Sequence, residues 1–245
     1  MMTEIQRGLS RFNIEHSMRV TAIVVAAGKG KRMGLVDKPF LLLGKRPLLT
    51  YGLLTLENSS FIDKIILVVG KNKISKAKEL IKKYHISKVK EIVAGGKTRQ
   101  DSVASGLKKI NSFSDFVLIQ DGARPFLTGE LIKRVVLGAK RYKAAVPGLP
   151  LSDTTKEVEN SSFISSTLSR KSLWTVQTPQ VFKAEIIQKA YFQAEKNHFW
   201  GTDSASLVER IGIPVKIIKG DLYNIKITTK DDFILARAIL GAVSK

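Results

Sequence analysis

The sequence predicts an α/β fold in which a mostly parallel sheet is flanked by helices on both faces, with a protruding β-arm. Three observations predict it. Short runs of β-branched and small apolar residues alternate with stretches of helical period. Several of these runs end in glycine-rich or Asp-containing turns, and one polar stretch, residues 149–174, shows neither pattern. Repeated strand–helix alternation is typical of parallel sheets with helices on both faces. We expect residues 19–245 to form a single domain of this kind.

The apolar runs predict the strands, and the segments of helical period predict the helices. Residues 20–26 form a continuous apolar run apart from one threonine, which is typical of a strand buried on both faces. Further strands are predicted at residues 62–70, 91–96, 144–150 and 214–218, and at 115–125, where the strand runs into a turn. Helices are predicted at residues 47–56, 75–84, 129–142 and 183–197, and others begin at Ser102, after Thr202 and at Lys230.

Two segments depart from this alternation. Residues 149–174 are rich in Ser and Thr and contain short β-like pieces. A structureless segment of that length is unusual in a compact domain, so a hairpin arm is favoured over a mobile surface loop. The motif NIKIT, residues 224–228, is predicted as a short strand, in which Lys226 points away from the face shared by Ile225 and Ile227. Plain solvent exposure of Lys226 is the alternative.

Composition excludes several kinds of site. The 245 residues are enough for one sizeable core, and they include no cysteine and three histidines. Disulfides, thiolate catalysis and cysteine zinc sites are therefore excluded, and any metal should be a hard cation held by oxygen atoms. Residues 1–18 lack the apolar region of a secretory signal, and we expect them to form a poorly ordered extension. We expect a cytoplasmic protein that is not held in a membrane.

The chain carries a formal net charge of +20. Its basic residues are spread along the whole sequence rather than gathered in one arm, which favours a lysine-rich solvated surface over a nucleic-acid interface. Attraction of small phosphate-bearing substrates is a second explanation. A basic nucleic-acid-binding protein remains the alternative from a different functional class.

The stretch AAGKGKRMG, residues 26–34, follows the first strand directly. Its glycines let the backbone approach a ligand closely, and exposed backbone N–H groups in such a loop bind anions. Lys29, Lys31, Arg32 and, further on, Lys38 add positive charge suited to a polyphosphate. Met33 stands where the dinucleotide-binding motif requires glycine, and no Gly-Lys-Ser/Thr sequence closes a P-loop. A plain structural loop is the alternative.

Two other predicted strands are followed by candidate ligand-binding residues. In DGARP, Asp121 follows a buried strand, where it suits Mg²⁺ bridging to phosphates or, alternatively, an Asx-turn. Arg124 would pair with a phosphate or with Asp121. In AGGKTRQDSV, Ser102 either caps the following helix, which is favoured, or hydrogen-bonds a base edge. In a parallel sheet these strand ends meet along one edge, where ligands bind.

Taken together, the motifs resemble a known family. The segments AAGKGKRMG, KPF, GGKTRQDSV, DGARPF, SDTTK, SRKSLW, QTPQVF, GTDSAS and NIKIT occur in this order over nearly all of residues 20–240. The chain thereby resembles the 2-C-methyl-D-erythritol 4-phosphate cytidylyltransferases of the non-mevalonate isoprenoid pathway. The resemblance implies a Rossmann-like sheet of the nucleotide-diphospho-sugar transferase type. It also implies transfer of CMP from CTP to methylerythritol phosphate with Mg²⁺, and a homodimer joined through residues 149–174.

The resemblance also implies roles for individual residues. Arg32, Lys38 and Lys226 would be catalytic, stabilising charge on the phosphates, and Asp121 would hold the metal. The nucleotide would be bound by Ala26, Ala27, Gly28, Gly30, Gly95, Gly96 and Ser102. The methylerythritol phosphate would be bound by Arg124, Thr154, Arg170 and Thr202, with Thr154 and Arg170 serving the site of the neighbouring subunit.

Two positions depart from the family pattern, which often has Asp where this chain has Ser169 and a second acidic residue, after Asp203, where it has Ser204. Neither change removes a residue with an implied role. Within the same enzyme class, a ribitol 5-phosphate cytidylyltransferase is the alternative, because it shares the nucleotide motifs. The sequence SRKSLWTVQTPQ, with Trp174, favours the methylerythritol type.

Overall fold

The computed structural model describes residues 18–28, 37–110, 114–159 and 162–243. Apart from Met18, the predicted N-terminal extension lies outside these residues, as does the glycine-rich stretch from residue 29 to residue 36.

Within the described residues, the centre of the fold is an eight-stranded sheet with two small separate pairs of strands. The sheet comprises β1 (Val20–Ala26), β4 (Lys64–Val69), β5 (Val89–Ala94), β6 (Phe116–Asp121), β7 (Ala144–Pro150), β10 (Trp174–Val176), β11 (Gln180–Lys183) and β12 (Lys216–Lys219). The small pairs are β2 (Leu42–Leu43) with β3 (Arg46–Pro47), and β8 (Thr155–Glu159) with β9 (Phe163–Leu168). The strand order in the main sheet is β10-β7-β11-β6-β1-β4-β5, with β12 paired to β7.

The pairing confirms the mostly parallel sheet. Strands β6, β1, β4 and β5 run parallel to one another, as do β7 and β12, whereas β11 and β10 are antiparallel to their neighbours. The carboxyl ends of β1, β5 and β6, which carry the three motifs singled out in the sequence, therefore open at the same edge of the sheet.

Helices cover both faces, as predicted. In the described chain they are α1 (Leu48–Glu57), α2 (Ile74–Lys83), α3 (Arg99–Leu107), α4 (Gly129–Tyr142), α5 (Ala184–Lys196), α6 (Ser204–Arg210) and α7 (Lys230–Val243). Side chains of α1, α2 and α4 share one apolar core with Ala22 and Val24 of β1. Side chains of α3, α5 and α6 share another core with Ile23, which points to the opposite face of the same strand.

The start of α3 corrects one prediction. The helix begins at Arg99 rather than Ser102, and Thr98 is its N-cap. The Thr98 side chain accepts from the Asp101 backbone N–H at 3.1 Å, while the Asp101 carboxylate accepts from the Thr98 N–H at 2.9 Å. Ser102 lies inside the helix, and its hydroxyl donates to the Thr98 carbonyl at 2.9 Å. The capping role predicted for Ser102 is therefore wrong, because this reciprocal pair satisfies the helix end earlier.

The short strand predicted for the NIKIT segment is wrong. Residues 224–228 form no strand, although Ile227 is fully buried and Ile225 packs beside it, as the alternation indicated. Both edges of the nearby strand β6 are already taken, by β1 and β11. The segment instead makes a single backbone bond to the loop after β6, from the Ile227 N–H to the Ala123 carbonyl at 2.9 Å.

The predicted arm at residues 149–174 contains a hairpin, so the loop alternative is wrong. Strands β8 and β9 pair antiparallel to each other and lie outside the main sheet. Their apolar side chains are exposed, including Val158, Ile164 and Phe163, whose exposed fraction is 82%.

Among the helices that the structure describes, none is both long and apolar enough to cross a membrane.

The packing of α3 on the sheet generates a stability prediction. A Cβ added to Gly106 would lie 2.6 Å from Ile23 Cγ2, whereas one added to Gly241 of α7 meets nothing within 4 Å. Alanine is favoured over glycine in a helix by about 1 kcal/mol, but overpacking costs about 1–3 kcal/mol. We therefore expect Gly106→Ala to lower the free energy of unfolding and the matched control Gly241→Ala to leave it equal or raise it. Urea denaturation measures both, and equal stabilisation by the two substitutions would contradict the close packing.

Candidate active site

A cleft of about 430 Å³ opens at the carboxyl ends of the parallel strands. Its walls come from the end of β1, the turn before α3, the end of β6 and the segment that contains Lys226. The lining residues include Ala26, Ala27, Gly28, Lys38, Gly96, Thr98, Arg99, Ser102, Asp121, Ala123, Thr202 and Lys226. This confirms that the three motifs meet at one edge of the sheet.

The carboxylate of Asp121 is the centre of the cleft's electrostatics. Arg99 Nε lies 2.9 Å from Asp121 Oδ1, and Lys226 Nζ lies 2.7 Å from Oδ2. Arg124 Nε lies 4.0 Å from Oδ2, and its Nη1 donates to the Asn224 carbonyl at 2.5 Å. One buried negative charge is thus surrounded by three positive charges from three separate segments of the chain.

The cationic neighbours of Asp121 determine the ionisation of its carboxyl group. Burial opposes ionisation of Asp121, but the positive charges of Arg99 and Lys226 outweigh it and hold the pKa of the carboxyl well below its usual range. For Arg99, burial lowers the pKa and the neighbouring Asp121 raises it, with a net rise. Burial lowers the pKa of Arg124, and Asp121 opposes that shift only in part. Three cationic side chains thus surround one carboxylate, so the positive charge of the cluster exceeds its negative charge.

The two lysines singled out by the sequence lie on adjoining segments. Lys38 begins a 3₁₀ turn (Lys38–Phe40), and its Nζ donates to the Ile227 carbonyl at 2.9 Å. That carbonyl belongs to the residue that follows Lys226. The preceding residue, Asp37, pairs with Lys73 at 2.5 Å and Lys76 at 3.2 Å, which fixes the turn to the start of α2. Lys226 itself lines the cleft and pairs with Asp121, so the alternative of plain solvent exposure is wrong.

The turn between β5 and α3 contains two glycines at which a side chain would clash with neighbouring residues. A Cβ on Gly95 would lie 2.3 Å from Ala27 Cβ, and one on Gly96 would lie 2.3 Å from Asp101 Cβ. The backbone N–H of Gly96 donates to the Ser102 hydroxyl at 3.2 Å. The stretch between β5 and α3 is thus held tightly against the loop that follows β1.

Comparison with known proteins agrees with this geometry. A family model described as 2-C-methyl-D-erythritol 4-phosphate cytidylyltransferase matches residues 20–242. The chain belongs to the 2-C-methyl-D-erythritol 4-phosphate cytidylyltransferase family. It is therefore an enzyme of the nucleotidyltransferase class, as the sequence resemblance implied.

Individual members of this cytidylyltransferase family are similar over nearly their whole length. The protein of that name from Syntrophus aciditrophicus is 46% identical over 224 residues, which are 91% of this chain and 96% of the relative. The solved 4-diphosphocytidyl-2C-methyl-D-erythritol synthase from Anaerococcus prevotii superposes with a TM-score of 0.81 at 32% identity, covering 92% of this chain and 99% of that one. The family's enzyme from Thermus thermophilus superposes with a TM-score of 0.74 at 30% identity, covering 91% and 98%.

The structure brings most of the family residues predicted from the sequence to one place. Ala26, Ala27, Gly28, Lys38, Gly96, Ser102, Asp121, Thr202 and Lys226 line the cleft, Gly95 packs against Ala27, and Arg124 lies beside Asp121. Arg32 and Gly30 lie outside the described residues. Thr154 and Arg170 are exposed on the arm and do not line the described cleft of their own chain; Arg170 Nη1 donates to the Ser152 carbonyl at 2.5 Å.

Sequence reasoning missed the importance of Arg99. It noticed the residue within AGGKTRQDSV but gave it no role, and the structure shows it paired with Asp121 and aimed at Ser204. The signal in the sequence that could have found it is a cation three residues after the glycine pair Gly95-Gly96, with the capping residue Thr98 directly before it. Placing the helix start at Ser102 leaves Arg99 in the preceding turn and hides this signal.

The ion cluster generates a prediction about pH. Because the folded pKa of Asp121 is depressed, its ionised form stabilises the fold fully above the unfolded pKa of about 4, and this contribution is lost as pH falls toward the lower folded value. We expect Asp121→Asn to lower the free energy of unfolding by about 3–5 kcal/mol at pH 7, since it leaves buried cations uncompensated.

The gap between the wild type and Asp121→Asn should then narrow as pH falls from 5 to about 2.5, which urea denaturation at each pH measures. Asp153→Asn, at an exposed position on the arm, is the matched control and should give a small gap that stays flat. A gap for Asp121→Asn that is constant across this range would contradict the depressed pKa.

Proposed function

We propose that this protein transfers CMP from CTP to 2-C-methyl-D-erythritol 4-phosphate in isoprenoid precursor biosynthesis. A phosphate oxygen of the acceptor attacks the α-phosphorus of CTP, the bond from that phosphorus to the bridging oxygen breaks, and pyrophosphate leaves. The products are 4-diphosphocytidyl-2-C-methyl-D-erythritol and pyrophosphate. The observation that carries the proposal is the surplus of positive charge around Asp121, in a member of a cytidylyltransferase family.

The cluster suits phosphoryl chemistry because such reactions depend on positioning and on neutralising charge. Arg99, Arg124 and Lys226 surround one carboxylate, so the cleft has positive charge left over for a polyphosphate. Lys226 and Lys38 are the proposed ligands of the α-phosphate as charge develops in the transition state. Their ammonium groups are anchored by Asp121 and by the Ile227 carbonyl, so little reorganisation is needed. Arg32 is proposed to act on the same phosphates.

The cytosine is proposed to bind at the turn between β5 and α3. Gly95 and Gly96 have no side chains there, so a base can reach the backbone. The Ser102 hydroxyl is bonded to the Gly96 N–H and the Thr98 carbonyl, which holds the shape of this turn. Recognition by a rigid backbone edge would favour one pattern of donors and acceptors on the base.

A divalent cation, Mg²⁺, is the proposed cofactor, and Asp121 is the residue that would hold it. Mg²⁺ is usually bound through one or two carboxylates together with substrate phosphates. The residues fit this mode, because Asp121 is ionised at a strand end while the described residues form no cluster of three or more His, Asp or Glu that could hold an ion by themselves. When bound, the ion would neutralise charge on the phosphates.

The acceptor is proposed to bind between Arg124 and Thr202 of one subunit and Thr154 and Arg170 of a second copy. Thr154 and Arg170 are exposed on an arm whose apolar side chains Phe163 and Ile164 are also exposed. An exposed apolar hairpin supports an interface, because such surface is otherwise unfavourable in water. We therefore infer a homodimer through the arm. A cytoplasmic location is proposed as well, since the cysteine-free composition suits a reducing compartment.

The reaction itself is the first test. Purified protein with Mg²⁺ should release pyrophosphate only when CTP and 2-C-methyl-D-erythritol 4-phosphate are both present, and chelation of the metal should stop it. A coupled pyrophosphate assay measures this, with ATP, GTP and UTP as nucleotide controls. Equal turnover of ribitol 5-phosphate would contradict the proposed acceptor. No turnover of CTP, together with salt-sensitive binding of random DNA, would favour a nucleic-acid-binding protein.

The shared site gives a second test. Lys38→Ala and Lys226→Ala should each lower kcat by about a hundredfold, because each removes a positioned charge. Arg170→Ala should be impaired for a different reason, since its own cleft is intact. After subunit exchange, an equal mixture of Arg170→Ala and Lys226→Ala should recover about one quarter of wild-type activity, because each heterodimer has one intact site.

The control mixture is Lys38→Ala with Lys226→Ala, whose lesions lie in the same cleft and so leave no intact site in any dimer. Exchange is verified by mass spectrometry of differently tagged subunits. A mixture of Arg170→Ala and Lys226→Ala that exchanges fully and recovers nothing would rule out the shared site.

A further inference from the structure

Arg99 connects the cleft to a buried pair of hydroxyl groups. Its Nε donates to Asp121 Oδ1 at 2.9 Å, and its Nη1 donates to Ser204 Oγ at 3.4 Å. The guanidinium plane is therefore fixed at two points, one on the carboxylate at the end of β6 and one on the first residue of α6. A planar group held at two points cannot turn about its bond axis, so Asp121 Oδ1 is engaged in a defined direction.

The second of these points is itself fixed. Ser204 is completely buried, and its Oγ lies 2.9 Å from the hydroxyl oxygen of Tyr191 on α5. The Ser204 backbone N–H donates to Gln180 Oε1 at 3.2 Å. Because a guanidinium only donates, Ser204 accepts from Arg99 and exchanges its other hydrogen bond with Tyr191. Its hydroxyl consequently has no freedom to rotate away.

Both hydroxyls are neutral. Burial raises the pKa of Tyr191 to about 12, despite the opposing hydrogen bond from Ser204. The neighbouring carboxylate of Asp203 is occupied elsewhere, since it accepts from the Ser206 N–H at 2.9 Å and from Gln180 Nε2 at 2.6 Å. Within the described part of the chain, Asp121 is thus the one carboxylate that pairs with the Arg99 guanidinium.

We propose that the buried hydroxyl pair of Tyr191 and Ser204 positions Arg99 on Asp121 for nucleotidyl transfer, an inference that rests on the function proposed above. Neither residue lines the cleft; both are positioning residues that act through Arg99.

The test compares single and double removals of the hydroxyls. Ser204→Ala and Tyr191→Phe should each lower kcat with CTP and 2-C-methyl-D-erythritol 4-phosphate by about tenfold, with the KM for CTP changed by no more than about twofold. The double variant should lose about tenfold rather than about a hundredfold, because the two groups act in one chain. Ser204→Thr keeps a hydroxyl and should retain activity, and Tyr142→Phe, at an exposed tyrosine, is the matched control.

A second measurement does not depend on turnover. In the free protein, the Arg99 Nε–H should exchange slowly with water, as followed by nitrogen-15 NMR and assigned with Arg99→Lys, and should exchange at least about tenfold faster in Ser204→Ala and Tyr191→Phe. Thermal unfolding monitors whether each variant is folded. Unchanged exchange, unchanged kcat in both single variants, or losses that multiply in the double variant would each overturn the proposal.

Failure of the proposed function would show differently. A wild-type protein that does not turn over CTP contradicts the assigned reaction. The exchange measurement on the free protein then still decides whether the hydroxyl pair fixes Arg99.

Discussion

The buried carboxylate of Asp121 is the interaction on which the rest of the site depends. It is 7% exposed at the end of a central strand, and its ion-pair partners come from the start of α3, the loop after β6 and the segment after β12. Taking an ionised carboxylate out of water is unfavourable by several kcal/mol unless its partners are well placed. The elements that carry these cations are therefore held in register by one group.

The charge balance of the cluster suits the proposed polyphosphate ligand. A purely structural ion pair would balance its charges, whereas here the cations outnumber the carboxylate. Such an excess is unfavourable in the empty cleft and becomes favourable when a polyphosphate enters, which is the condition for preorganised electrostatic catalysis. The link from Lys38 to the Ile227 carbonyl extends this arrangement, because it joins the turn before α1 to the segment that carries Lys226.

The buried strands and the position of Asp121 could be predicted from the sequence, because both depend on the pattern of neighbouring residues. The buried strands appear as continuous apolar runs, and Asp121 follows one of them directly. The pairing of Arg99 could not be predicted, because its partners lie 22 and 105 residues away and depend on how α3 and α6 pack against the sheet. The helix start was misplaced for a related reason: Thr98 and Ser102 are both good capping residues, and only the reciprocal bonds with Asp101 decide between them.

The stretch from Gly95 to Ser102 shows why one short segment can govern the whole cleft. Its glycines permit approach to the loop after β1, Thr98 ends the turn, and Arg99 enters the ion cluster from the first residue of the helix. Each feature fixes the next, because a helix that began three residues later would withdraw Arg99 from Asp121. The buried hydroxyls of Ser204 and Tyr191 then hold the far side of the guanidinium. The direction of the Arg99 side chain is thus determined jointly by a turn, a helix cap and a neutral hydrogen-bond pair on the neighbouring helices α5 and α6.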